Sequence, residues 1–430
     1  MSGAVYSGDD IGAVVLDVGS NTMRVGYAGE EYPRHDIPSS IAIYEENYLK
    51  KYNIGTVALH SKHPGAEITT FLKDGMVENW DHFENMLEYI FTKRLHTAFE
   101  NHPVLLTEPA WVVQHKREQM VELMFEKFNS PAVHLAKGAM LVGMSNSRPT
   151  TLIVDSGATH TTAVPIHEGF VVSQAIVKSP AGSDYILEQA RMMLQDRKVD
   201  LVPYYRVASK EVVKQEEAPI WREKHFKGVT ASWHNYMVKE VMQDFHASVL
   251  QLSESTYDED VVRTSPTVHY EFPNGYNRDF GIERFKVVEP LFNLTARVGN
   301  GIQPSLDVSS LVTTSVGMCE MDIRAVITID VMTVKFDIDL ILFQTMYSNV
   351  IITGGNSNIH GFTERLTRDL QLKVPPSMRL KIIPQNGSID RRFAPWLGGA
   401  ILGSLATFQS YWISKQEYEE VGKVIVHSRC

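Results

Sequence analysis

Two short segments, far apart in this chain, carry the residue types for one piece of chemistry done twice. One is Val14-Val15-Leu16-Asp17-Val18-Gly19-Ser20-Asn21; the other is Leu152-Ile153-Val154-Asp155-Ser156-Gly157-Ala158-Thr159. Each opens with an apolar, β-branched run that makes a buried strand. The glycine behind it lets the backbone turn tightly and aim N–H groups at an anion. The Asp at the strand end is placed to hold a hydrated divalent cation beside that anion. Two such loops facing each other would clamp the phosphates of a nucleotide between similar halves, with Asp17 and Asp155 meeting the metal through water. Turn capping by the same two carboxylates is one alternative. A pseudo-site that only joins two lobes is another. A matched pair behind two apolar strands favours the metal.

Such loops need a framework. Up to about Arg34, strand patterns alternate with Gly-rich turns, whereas Ile41 to Phe71 loses clear periodicity and reads as a small surface insertion. From Trp80 the pattern is helical, with Phe83, Met86, Leu87 and Ile90 at three- and four-residue steps. Lys116 to Phe128 is a second helix, stopped by Pro131, with Met120, Leu123, Met124 and Phe128 on one face. Thr150 to Ile176 alternates like a twisted hairpin, and a helix follows from Asp184 to Gln195. Lys198 to Arg263 is polar and less regular. Pro266 to Arg284 reads as strand, Asn274-Gly275 turn, strand. Trp396 to Trp412 is an apolar helix whose Gly398, Gly399, Ala400 and Gly403 permit close backbone approach.

At 430 residues the chain needs more than one core, and no low-complexity linker divides it, so the domains are interwoven. Met1 to Asp10 is polar and lacks the pattern of a secretory signal. The most apolar long stretch, Ala325 to Gln344, carries Asp330, Lys335, Asp337 and Asp339 and so does not read as a membrane span. Two cysteines, Cys319 and Cys430, give no disulfide framework and no thiolate zinc site, and point to a reducing cytosolic or nuclear address. A net charge of −10 argues against extensive contact with DNA phosphates, so any nuclear role should run through protein partners. His60 and His63 have no third ligand nearby and read as surface residues. Arg391-Arg392 reads as a solvated face. Asn293-Leu-Thr295 and Asn386-Gly-Ser388 fit a glycosylation pattern that lapses without a signal peptide.

Four segments in order resemble the actin family, and the resemblance covers nearly the whole chain. Asp17 to Gly29 resembles the first phosphate loop, with Arg24 where actin has a phosphate-binding Lys. Asp155-Ser156-Gly157 resembles the second loop, and Thr353-Gly354-Gly355-Asn356 the adenosine-binding turn. Trp396 to Leu405, continuing through Trp412 to Tyr418, resembles the C-terminal segment of actin. Ser232 to Met237, Gln243-Asp244-Phe245 and Val268 to Tyr276 are not actin sequence. They resemble the nuclear actin-like subunits of SWI/SNF-type chromatin remodellers.

This resemblance implies an α/β, actin-like duplicated ATPase fold: two lobes, four subdomains and a nucleotide cleft between them. The outer lobe's large subdomain would comprise residues 1–38, 71–145 and 393–430, with 39–70 as its small, divergent subdomain. The inner lobe's large subdomain would comprise 146–181 and 300–392, and its small one 182–299. The implied nucleotide contacts are Asp17, Gly19, Ser20, Asn21, Arg24, Asp155, Ser156, Gly157, Gly354, Gly355 and Asn356, with Asp17 and Asp155 holding Mg²⁺ through water. The implied role is transcription regulation in the nucleus. The implied partners are nuclear actin, a helical segment of the remodelling ATPase and other complex subunits, with neither a membrane nor sequence-specific DNA contact. A cytoplasmic actin-related ATPase in a motor or filament-branching complex is the alternative, against which the Ser232-to-Tyr276 segments speak. A sugar or acetate kinase on the same duplicated fold would need a base or acceptor motif that this chain lacks.

Departures from the family decide between binder and enzyme. Actin's water-positioning Gln falls on Gly138, its second-loop Asp on Ala158 and its His on Thr162. Hydrolysis needs a positioned water, so the resemblance implies ATP held without efficient turnover, and no enzyme. Asn21 and Thr22 add bulk where actin has Gly and Met. Tyr44 to Lys51 is charged and unlike actin's polymerisation loop, so no filament is expected. Trp412 to Tyr418 and the preceding helix would offer a groove for a partner helix, with core packing of the same aromatics as the alternative. Met321 to Arg324 and Met346 to Asn349 look like two halves of one family motif, parted by Ala325 to Gln344, whose alternation reads as strand. A gene-model error at this junction is the favoured reading, against a true isoform or an added edge strand.

Overall fold

Both Asp-ending runs are central strands of their own sheets. A computed structural model of the chain describes residues 12–296, 304–326, 342, 344–384 and 387–430. It has two lobes, each built on a six-stranded sheet. In the first, Val14–Val18 pairs antiparallel with Thr22–Tyr27 and parallel with Val104–Glu108, and Ala132–Lys137 and Ile413–Ser414 extend it on that side. In the second, Thr151–Ser156 pairs antiparallel with Thr161–His167 and parallel with Val350–Thr353. The two patterns match at these central strands. Val14, Val15 and Leu16 and their counterparts Leu152, Ile153 and Val154 are all fully buried, so both runs are covered on both faces as their continuous apolar pattern requires.

The lobes meet where helix Ser388–Ser404 crosses helix Gly138–Ser145. A Cβ on Gly398 would lie 1.9 Å from the Leu141 carbonyl oxygen, so only glycine permits this approach. Trp396 is fully buried beside it and donates its indole N–H to the Val15 carbonyl at 3.1 Å. Pro395 lies inside the helix and cannot donate back to Arg391. That freed carbonyl accepts from Thr353 Oγ1 at 2.8 Å and from Gly354 N at 3.0 Å. The missing helical bond thus fastens the helix to the Thr353–Asn356 turn.

Four segments differ from the sequence reading. Ile41 to Phe71 is no irregular insertion: Ser40–Glu46, Leu49–Ile54 and Glu67–Thr70 form a small sheet that buries Ile41, Ala42 and Ile54. A turn at Asn47-Tyr48, both at positive φ, and a connection that carries helix Thr56–His60 interrupt its alternation too often for the pattern to show. The region from Lys198 to Arg263 contains a 19-residue helix, Ala231–Val249, capped by the Thr230 hydroxyl. The last apolar helix begins at Ser388 and stops at Ser404, where Leu405 turns extended, and Trp412 lies beyond it. Trp412 is buried against His134 and Phe408 and belongs to the core, while Tyr418 is half-buried and stacks on Phe125. The hairpin at Asn274-Gly275 is present, as strands Val268–Glu271 and Asn277–Phe280. Of the stretch from Ala325 to Gln344, residues 327–341 and 343 lie outside the described residues, as does Asn386.

Candidate functional site

The two strand-end loops face one cavity of about 350 Å³ between the lobes. Its walls include Asp17, Gly19, Ser20, Asn21, Arg24, Asp155, Gly157, Gly354, Gly355 and Asn356. Ser156 is the exception. Its side chain is buried in the second lobe, where its hydroxyl lies 2.8 Å from Thr161 Oγ1 and accepts from Asn356 Nδ2 at 3.0 Å.

The loops are held by their carbonyls. Ser39 donates its hydroxyl to Gly19 O and its N–H to Asn21 O. At the second loop, Gly157 O and Ala158 O accept from the N–H groups of Ser183 and Asp184, the first turn of helix Ser183–Asp196. This leaves the N–H groups of Ser20, Asn21, Ala158 and Thr159 without an acceptor among the described residues, each belonging to a residue that lines the cavity. Unpaired backbone donors on residues that line a cavity are available to an anion bound there.

The acidic side is as specific. Asp17 Oδ1 accepts from Thr107 Oγ1 at 2.8 Å, and Oδ2 from Arg24 Nη1 at 3.0 Å. Arg24 also lies 3.5 Å from Asp36, which Arg392 reaches at 2.6 Å. Burial pushes Asp155 up to about 6, the Asp17 charge pushes it the same way, and Arg24 opposes both. Two carboxylates sharing one guanidinium carry surplus negative charge. A divalent cation would neutralise it. Gly354, at φ +91°, sits so close that a Cβ would lie 2.3 Å from Asp155 Oδ1. The free N–H groups, the paired carboxylates and the glycine turn therefore fit a nucleotide with a water-held divalent cation. The described residues contain no cluster of three or more His, Cys, Asp or Glu side chains that could hold a metal directly.

Gly138, Ala158 and Thr162 line the same cavity. A Cβ on Gly138 would meet nothing closer than Pro395 Cβ at 3.8 Å, so the backbone there has room to carry one. Across the cleft, Thr159 Oγ1 lies 3.2 Å from Ser20 Oγ, and Gln243 Nε2 donates to Asn21 Oδ1 at 3.2 Å.

Several wall residues escaped the sequence reading: Thr107, Glu108, His160, Gln243 and His246. Gln243 was visible only as part of a family-specific motif. Arg391 and Arg392 are not a plain solvated face. Arg391 donates to Ser357 O at 2.9 Å, and both line the cavity. His60 and His63 are apart from it, His60 3.9 Å from Glu240 and His63 stacked on Tyr44.

A protein-family model described as Actin matches residues 8–430. Actin-related protein 4 of Arabidopsis thaliana is 30% identical, covering 99% of this chain and 100% of that protein. Actin-related protein 4 of Schizosaccharomyces pombe is also 30% identical, with both chains fully covered. The protein named SWI/SNF and RSC complexes subunit arp42, of the same yeast, is 29% identical over 98% of this chain and all of its own.

Proposed function

The chain belongs to the actin family, and we propose that it is a non-catalytic, actin-like subunit of a nuclear chromatin-remodelling complex of the SWI/SNF type. Likeness along the full length to a yeast SWI/SNF and RSC subunit supports the assembly. The observation that supports the non-catalytic role is the cavity wall: Asp17, Arg24 and Asp155 line it, while Gly138, Ala158 and Thr162 offer no side chain long enough to orient water.

In this reading ATP with Mg²⁺ supplies a compact block of charge that both lobes can grip. Asp17 and Asp155 hold the metal through water. The N–H groups of Ser20, Asn21, Ala158 and Thr159 and the Arg24 guanidinium take the phosphates, and Gly354, Gly355 and Asn356 border the adenosine. Nuclear actin and a helix of the remodelling ATPase are the partners, the helix seated by the exposed Ile401 and Leu405 at the end of helix Ser388–Ser404 and Tyr411 in the turn that follows it.

Affinity purification of the tagged chain from nuclear extract tests the assembly. Recovery of a remodelling ATPase with actin is expected; recovery of motor or filament-branching components instead would overturn it. ATP turnover by the purified chain at actin-like rates would overturn the non-catalytic role.

A further inference from the structure

A two-residue turn reaches across the cleft at the edge of the cavity. Leu72-Lys73 and Met76-Val77 pair as a short hairpin whose turn is Asp74-Gly75. Asp74 sits at φ +54° and Gly75 at φ +77°, the tight geometry that Asp-Gly favours. The hairpin belongs to the first lobe, but its carboxylate is held by the second. Lys178 Nζ donates to both Asp74 oxygens at 2.7 Å, and His160 Nε2 lies 3.0 Å from Oδ1. From its own lobe, Trp111 donates its indole N–H to the Asp74 carbonyl at 2.9 Å, with the Lys178 ammonium 4.9 Å from that ring.

His160 carries the contact inward. The Thr159 hydroxyl lies 2.8 Å from His160 Nδ1 and 3.2 Å from Ser20 Oγ in the opposite loop. The path Asp74–His160–Thr159–Ser20 crosses between the lobes twice, once at each end. Every group in it is a protein side chain.

We infer that the Asp74-Gly75 turn is a latch that holds the lobes closed at the phosphate end of the cleft, so that closure does not depend on a bound nucleotide. The latch sets how fast any phosphate-bearing ligand leaves. Charge-assisted hydrogen bonds are the strong ones, but Asp74 and Lys178 are each about a third exposed, which limits their effect.

Asp74→Asn keeps a residue that tolerates positive φ and removes the charge; Lys178→Met removes its partner from the other lobe. Amide hydrogen exchange on the full chain, free of nucleotide, is the deciding measurement. Exchange should quicken about two- to fivefold in both variants, in residues 72–77 and 157–162 together, with the double variant no faster than the faster single one. Unchanged exchange, quickening confined to residues 72–77, or additive effects would overturn the latch. A matching thermal unfolding midpoint in each variant separates opening from general loss of fold. A second measurement rests on the nucleotide reading above: release of a fluorescent ATP analogue should quicken in the same order. If the chain takes up no analogue, that reading fails, while the exchange result still decides the latch.

Discussion

Replacing Asp155 by Asn should stabilise the nucleotide-free protein, and the gain should grow with pH. Burial and the neighbouring Asp17 raise this carboxyl from 3.8 to about 6, although Arg24 partly offsets them. Because the folded value lies above the unfolded one, the stability is complete below about pH 3.8 and is lost as pH rises through about 6. At about 1.36 kcal/mol for each pH unit between the two values, the ionised form costs about 3 kcal/mol. Asp155→Asn keeps the shape and removes the titration. The gain should therefore be under about 1 kcal/mol at pH 4, about half of its full size at pH 5 and about 3 kcal/mol at pH 7.5. Unfolding entropies near 2.1 cal/mol/K per residue make 1 kcal/mol worth roughly 1 °C in a chain of 430 residues. Calorimetry without nucleotide should then show Tm higher by roughly 3 °C at pH 7.5 and by under about 1 °C at pH 4. Saturating Mg²⁺ and ATP should reverse the order at pH 7.5, since the cation uses the charge that Asn lacks. A variant less stable than the parent at pH 7.5, or a gain independent of pH, would refute the reasoning.

Two further outcomes follow from the same geometry. The triple change Gly138→Gln, Ala158→Asp and Thr162→His places polar side chains at three positions that line the cavity, and should raise phosphate release from ATP at least about tenfold; a variant that binds ATP yet hydrolyses no faster would show that these positions do not silence the site. Gly398→Ala drives a Cβ to 1.9 Å from the Leu141 carbonyl, which is backbone and cannot swing aside. A loss of about 3 kcal/mol, read as a Tm lower by roughly 3 °C, is expected, and a neutral result would mean that the two helices can separate freely.

Much of the framework was legible because local pattern encodes it. The runs Val14–Leu16 and Leu152–Val154 are strands, and Phe83, Met86 and Leu87 are buried on one helix face. Helix Ala231–Val249 was missed although its buried residues Trp233, Met237, Val241, Phe245 and Val249 fall every fourth position, because the polar residues between them dominate the composition. The small sheet around Ile41 escaped because its strands are short and its turns frequent. Of the site, Asp17, Gly19, Asp155 and Gly157 could be read from their place behind two apolar runs, whereas Gly354 and Gly355 came only through the resemblance to the actin family. Thr107 and His160 could not, since nothing in their own segments marks them.

The sequence by itself determined the two strand-end Asp-Gly loops, their nearly identical setting and the absence of long polar side chains at Gly138, Ala158 and Thr162. Those features are local, and a strand or turn needs only its own residues and their period. Only the tertiary structure decided what the loops do to each other. It brings Asp17 and Asp155 near enough for one charge to shift the other's proton affinity, and gives Arg24 to Asp17. It also sets Lys178 on an Asp74 that lies 104 residues away in sequence. Charge interaction falls off with distance in space, and no periodicity in a sequence records that distance.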